Sequence, residues 1–99
     1  MLLEQKTAII TGCNRGIGKA TLETFAENGA DIFACVRKES DEFTDILTKL
    51  SVKTGVSITP VYFDLVDKEQ VKAGIKSIMS SKKQIDILVN NAGIAMGSF

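Results

Sequence analysis

Hydrophobic positions along the chain fall into two alternating patterns. Short apolar runs rich in β-branched and aromatic residues occur at Lys6–Thr11 (KTAIIT), Asp31–Val36 (DIFACV), Ser57–Phe63 (SITPVYF) and Ile85–Val89 (IDILV). Runs of this length predict strands buried on both faces, as in a parallel sheet with helices on each side. Pro60 has no N–H to give to a ladder, so the third strand is expected at an edge of that sheet.

Between these runs the spacing becomes that of amphipathic helices. Phe43, Ile46, Leu47 and Leu50 recur at i, i+3, i+4 and i+7 behind Ser40, a good N-cap residue, and Val71, Ile75, Ile78 and Met79 repeat the same face. Asp67, followed three residues later by Gln70, has the form of a capping box. A first helix, from about Gly16 to Asn28, carries Ile17, Leu22, Phe25 and Ala26, with Gly29 placed to stop it. The order βαβαβαβ with short connections predicts an α/β, doubly wound parallel sheet, since each right-handed crossover lays its helix across the sheet. No internal repeat, linker or low-complexity segment interrupts the alternation.

Between the first strand and the first helix stands TGCNRGIGKA, with Gly12, Gly16 and Gly18 within seven positions. Glycine loses more backbone entropy on folding than any other residue, so such a cluster points to a place that side chains would obstruct. In a βαβ dinucleotide-binding unit, this turn brings a pyrophosphate to the N–H groups of the helix N-terminus. One glycine serves the tight turn, one the close approach of the backbone to phosphate, and one the packing of the helix. Gly12, Gly16 and Gly18 can fill these roles in that order. The spacing is G-x-x-x-G-x-G rather than G-x-G-x-x-G, and a flexible connecting loop is the alternative. The strand before and the helix after favour the phosphate site.

Further along, at the tip of the second strand, NAD-binding proteins place an acid for the ribose hydroxyls. Here that strand ends Val36-Arg37-Lys38, and the first carboxylate, Glu39, follows two cations. A forked guanidinium at Arg37 suits a 2′-phosphate, which favours NADP over NAD, with Arg15 as a second candidate. In isolation Arg37 also reads as a solvated cation at a strand end.

Composition narrows the partners. The 99 residues suffice for one domain at most; twelve Lys and Arg balance twelve Asp and Glu, so a negative ligand must be held locally. No basic field recommends a nucleic acid, and no polybasic run recommends a membrane surface. The start, MLLEQKTAII, lacks the features of a signal peptide, and no apolar stretch approaches the roughly 18 residues of a membrane span. Cys13 and Cys35 form neither a metal pattern nor a disulfide framework and read as small buried fillers. A soluble protein of a reducing cytoplasm is expected.

Thr11-Gly12-Cys13-Asn14-Arg15-Gly16-Ile17-Gly18, Asp64-Leu65 after the third strand and Asn90-Asn91-Ala92-Gly93 after the fourth together resemble the short-chain dehydrogenase/reductase family. The similarity is to its 3-oxoacyl-[acyl-carrier-protein] reductase type, an activity of fatty acid biosynthesis, and covers the whole chain. It implies a Rossmann-type sheet of strand order 3-2-1-4 and a cofactor-binding role for Gly12, Asn14, Arg15, Gly16, Ile17 and Gly18. It also implies that Asp64 accepts from the adenine amino group and that Leu65 gives a backbone contact. Asn90 would lie beside the cofactor ribose, and Ala92 and Gly93, in the segment that supports the central sheet, are expected among the cofactor-binding residues as well. Read alone, Asp64 would be a turn residue and Asn90-Asn91 a strand-terminating turn. Met96, Gly97 and Phe99 could approach a substrate pocket, or form a terminal coil.

Members of that family are longer and transfer hydride with a Ser, a Tyr and a Lys, the Tyr four positions before the Lys. The single tyrosine here, Tyr62, is followed four positions on by Val66, and there is no histidine. Residues 1–99 are therefore expected to be the N-terminal, cofactor-binding part of an NADP(H)-dependent reductase, inactive without its catalytic part. The full-length protein is expected to reduce a carbonyl to an alcohol, a 3-oxoacyl thioester first among the candidates. Its partners would be a small-molecule or acyl-carrier-bound substrate and, by resemblance, further copies in a tetramer. The alternatives are a dehydrogenase of sugars, steroids or other small alcohols, or a non-catalytic nucleotide-binding or interaction module.

Overall fold

A computed structural model describes residues 1–91. Its elements are β1 (Thr7–Thr11), α1 (Gly16–Glu27), β2 (Asp31–Val36), α2 (Asp41–Thr54), β3 (Ile58–Tyr62), α3 (Lys68–Ser80) and β4 (Ile87–Asn90). The expected alternation holds, with ends moved by a residue or two. All neighbouring strands are parallel, in the order β3-β2-β1-β4. Pro60 indeed lies on an edge: among the described residues β3 pairs only with β2, where Pro60 faces Ala34.

Helices cover both faces. On one, α1 and α2 bring Leu22, Ala26, Phe43, Leu47 and Leu50 onto Ala8, Ile10, Ile32, Ala34 and Val36. On the other, Ile78 of α3 joins Phe33, Cys35 and Val61. This is the doubly wound arrangement that the alternation implied.

Burial on both faces proves true of β1 and β2 only. β4 alternates, with Leu88 67% exposed, and β3 keeps a single fully buried position, Val61. Among the described residues, only the central pair is flanked by strands on each side and by helices above and below.

The face of α3 also differs from the expected one. Gly74 and Ile78 are its buried residues, while Ile75 and Met79 point outward at 53% and 66% exposure. The cause is close docking: a Cβ at Gly74 would lie 2.6 Å from Cδ1 of Phe63. A helix seated on its one residue without a side chain turns the neighbouring apolar positions away from the sheet.

Candidate functional site

Parallel strands end on one edge of the sheet, so the loops after β1, β2, β3 and β4 meet there in the spatial order of their strands. β1 is where the topology reverses. From it the chain passes through α1 to β2 and β3 on one side, and returns through α3 to β4 on the other. Connections that diverge in this way leave a crevice at the carboxyl ends of the strands, where ligands of open α/β sheets bind. Here it is an open groove of about 810 Å³.

The loop after β1 forms the middle of the groove. Gly12, Asn14, Arg15, Gly16, Ile17 and Gly18, the residues for which the resemblance implies a cofactor-binding role, all line it. Gly16 opens α1 with φ +59°, a left-handed value that side chains resist, and its Cβ direction is open space. Gly18 is needed for a different reason: a Cβ there would run into the carbonyl oxygen of Gly12, so only hydrogen lets the helix start approach the preceding turn. Gly12 itself has φ +64° and donates its N–H to the carbonyl of Cys35 at 3.0 Å, which ties the turn to β2.

The three helices start differently. Oγ of Ser40 accepts the N–H of Phe43 at 3.1 Å ahead of α2, and Oδ1 of Asp67 accepts those of Glu69 and Gln70 at 3.1 and 3.2 Å ahead of α3. Arg15 precedes α1 with no side-chain cap, and no acidic residue occupies the first turn. The positive end of the α1 dipole therefore faces the groove, and among the described residues no N-cap side chain accepts its first N–H groups. Arg15, Arg37 and Lys38 are exposed at this groove and join none of the ion pairs among the described residues. Helix-start donors and three cations thus meet in one groove of a chain with no net charge, an arrangement whose local field favours negative charge.

Beyond the cations, at the end of β3, Asp64 and Leu65 line the groove with Phe63 and Val66. Oδ1 of Asp64 accepts the N–H of Val66 at 3.1 Å, an Asx turn that fixes the carboxylate at the rim. At the opposite end, Asn90 is held to β1: Oγ1 of Thr11 donates to its Oδ1 at 3.0 Å. The neighbouring Asn91 lines the groove, and its buried Nδ2 has no acceptor among the described residues. Ala92 and Gly93, and likewise Met96, Gly97 and Phe99, lie outside the described residues.

Several contributors were not legible as site residues. In the sequence Lys38 is only a companion of Arg37, Phe63 the end of a strand, Val66 the residue four after Tyr62, and Asn91 part of a turn and of a sheet-supporting segment. Cys35 borders the groove, but it is a core residue, as is Cys13, whose Sγ donates to the carbonyl of Ile10 at 2.8 Å. Burial pushes both thiols from 9.0 up to about 12. Tyr62 packs against the larger core cluster. Among the described residues no helix is long and apolar enough to cross a membrane.

Residues 6–99 match the family model described as short chain dehydrogenase. Among curated relatives, a 3-oxoacyl-[acyl-carrier-protein] reductase of Thermotoga maritima is 38% identical over 94 residues, covering 95% of this chain and 37% of the relative. A 7alpha-hydroxysteroid dehydrogenase of Paraclostridium sordellii is 37% identical over 91 residues, covering 92% of this chain and 33% of the relative. Among solved structures, the L-sorbose reductase of Gluconobacter frateurii, complexed with NADPH and L-sorbose, superposes with a TM-score of 0.81 at 39% identity. That match covers 90% of this chain and 34% of the reductase. The chain thus spans about a third of the length of the proteins it matches.

Proposed function

Since the chain belongs to the short-chain dehydrogenase family, we propose that it provides the cofactor-binding half of an oxidoreductase that uses NADPH to reduce a carbonyl to an alcohol. The observation that carries this reading is the uncapped start of α1, which shares the groove with Arg15 and Arg37, neither in an ion pair among the described residues, beside a turn where Gly18 leaves no room for a Cβ.

A nicotinamide dinucleotide fits the residues present. The glycine turn and the first N–H groups of α1 would hold the pyrophosphate, and a 2′-phosphate would meet Arg37 and Arg15, with Lys38 adjacent. Asp64, at the β3 end of the groove, would accept from the exocyclic amine of adenine, with the Leu65 backbone beside it. The nicotinamide would then lie toward β4, where Asn90 and Asn91 stand, the buried Nδ2 of Asn91 having no acceptor among the described residues. A bound reduced nicotinamide supplies a hydride to the carbonyl carbon. The proton for the oxygen must come from a general acid, and Tyr62, packed against the core, does not face the groove.

Preference for NADPH follows from charge. A carboxylate after β2 would repel a third phosphate group, whereas Arg37 and Lys38 attract it. For the substrate, the Thermotoga relative supports a 3-oxoacyl thioester, and the steroid and sorbose enzymes mark the alternatives to assay beside it. The decisive experiment titrates the chain with NADPH and NADH by cofactor fluorescence. Tighter binding of NADPH is expected, and Arg37→Asp should weaken it about tenfold or more while leaving NADH little changed. Equal affinity for both cofactors, unaltered in the variant, would remove the NADP assignment.

A further inference from the structure

The loop after β3 contains a hydrogen bond that the sequence pattern did not foretell. In a capping box Gln70 would reach back to the N–H of Asp67, but that N–H already donates to the carbonyl of Asp64 at 3.0 Å. Gln70 reaches farther, and its Oε1 accepts the N–H of Asp64 at 2.8 Å. Asp64 is thus held at three points: its N–H by Gln70, its carbonyl by Asp67, and its Oδ1 by Val66 at 3.1 Å. Its remaining carboxylate oxygen has no partner among the described residues, and the residue lines the groove.

We propose that Gln70 is a positioning residue for purine recognition: by fixing the backbone of Asp64 it aims the free carboxylate oxygen at the exocyclic amine of the cofactor's base. The inference rests on the nicotinamide-dinucleotide reading above. Gln70 is exposed and touches no core cluster, so its role is not to hold the fold. An acceptor that must meet a single amine is only as selective as the backbone that carries it, and the hydrogen bond from Gln70 removes the freedom of that backbone.

The test compares NADPH with its deamino analogue, in which hypoxanthine replaces adenine and an oxygen stands where the amine was. The wild-type chain should bind NADPH more tightly than the analogue. Gln70→Ala should weaken NADPH about three- to tenfold, the range of one hydrogen bond, with the analogue nearly unchanged, so that discrimination between the two bases collapses. Gln70→Glu keeps the acceptor and should restore much of it. Equal losses for both ligands, or undiminished discrimination in Gln70→Ala, would overturn the proposal while leaving the cofactor reading intact. Failure of the wild-type chain to bind either ligand would overturn both.

Discussion

At the scale of single residues, the site depends on groups that are absent as much as on groups that are present. Hydrogen at Gly18 admits the carbonyl of Gly12, and the missing cap at Arg15 leaves donors for a ligand. Both cysteines, by contrast, are present and inert. Cys13 is fully buried and Cys35 nearly so, and desolvation of the thiolate holds each near 12. The native chain should therefore resist iodoacetamide at a pH just below 9.0 and react fully once denatured, as mass spectrometry of the alkylated protein would reveal. The same shift fixes a pH dependence. Between 9.0 and about 12 the folded chain keeps both thiol protons while the unfolded chain has released them, so stability is fully present below 9.0 and falls as the pH rises through that window. Stability that stays flat across it in denaturant titrations would contradict the burial of the two thiols.

Elements show where periodicity is a sufficient guide and where it is not. Phe43, Leu47 and Leu50 of α2 are buried as their spacing indicates, because ordinary side chains at i, i+4 and i+7 settle into the sheet and Ser40 and Gly55 close the ends. In α3 the spacing names Ile75 and Met79, yet Gly74 takes the contact. Periodicity counts apolar side chains and is blind to a position whose use is to have none. Gly74→Ala tests this docking. Helix propensity alone would favour alanine by about 0.5–1 kcal/mol, but the added Cβ meets the Phe63 ring at 2.6 Å, and overpacking costs about 1–3 kcal/mol. The expected net result is a loss of about 1 kcal/mol in chemical denaturation, together with weaker NADPH binding because Phe63 also lines the groove. A more stable Gly74→Ala variant would show that the ring yields without cost.

For the whole molecule, the fold is secured by contacts between distant parts of the chain. β1 is central only because β4 returns to its free side, and the junction is fixed at both ends. Thr7 donates its N–H to Oδ2 of Asp86 at 2.9 Å and receives the N–H of Asp86 on its own carbonyl at the same distance. At the groove, Thr11 and Asn90 hold the other end. Thr7 is buried, so removing the Asp86 carboxylate leaves its N–H without an acceptor, at a cost of about 1–3 kcal/mol. A lowering of Tm by about 4–24 °C is expected for Asp86→Ala, given roughly 4–8 °C per kcal/mol in a domain of this size, with a smaller loss for Asp86→Asn. An unchanged Tm in calorimetry would mean that water replaces the carboxylate.

Much of this protein is written locally. Alternating apolar runs gave the seven elements and their parallel pairing, Pro60 marked the edge strand, and the glycines with Arg37 marked residues that line the groove, because each of these is a property of neighbouring residues. Tertiary structure decided the rest. It buried only the central strands on both faces, turned α3 onto Gly74, brought Lys38, Phe63 and Asn91 to the groove, and redirected Gln70 from a helix cap to Asp64. These are choices among partners far apart in the chain, where the outcome depends on which groups packing leaves within reach.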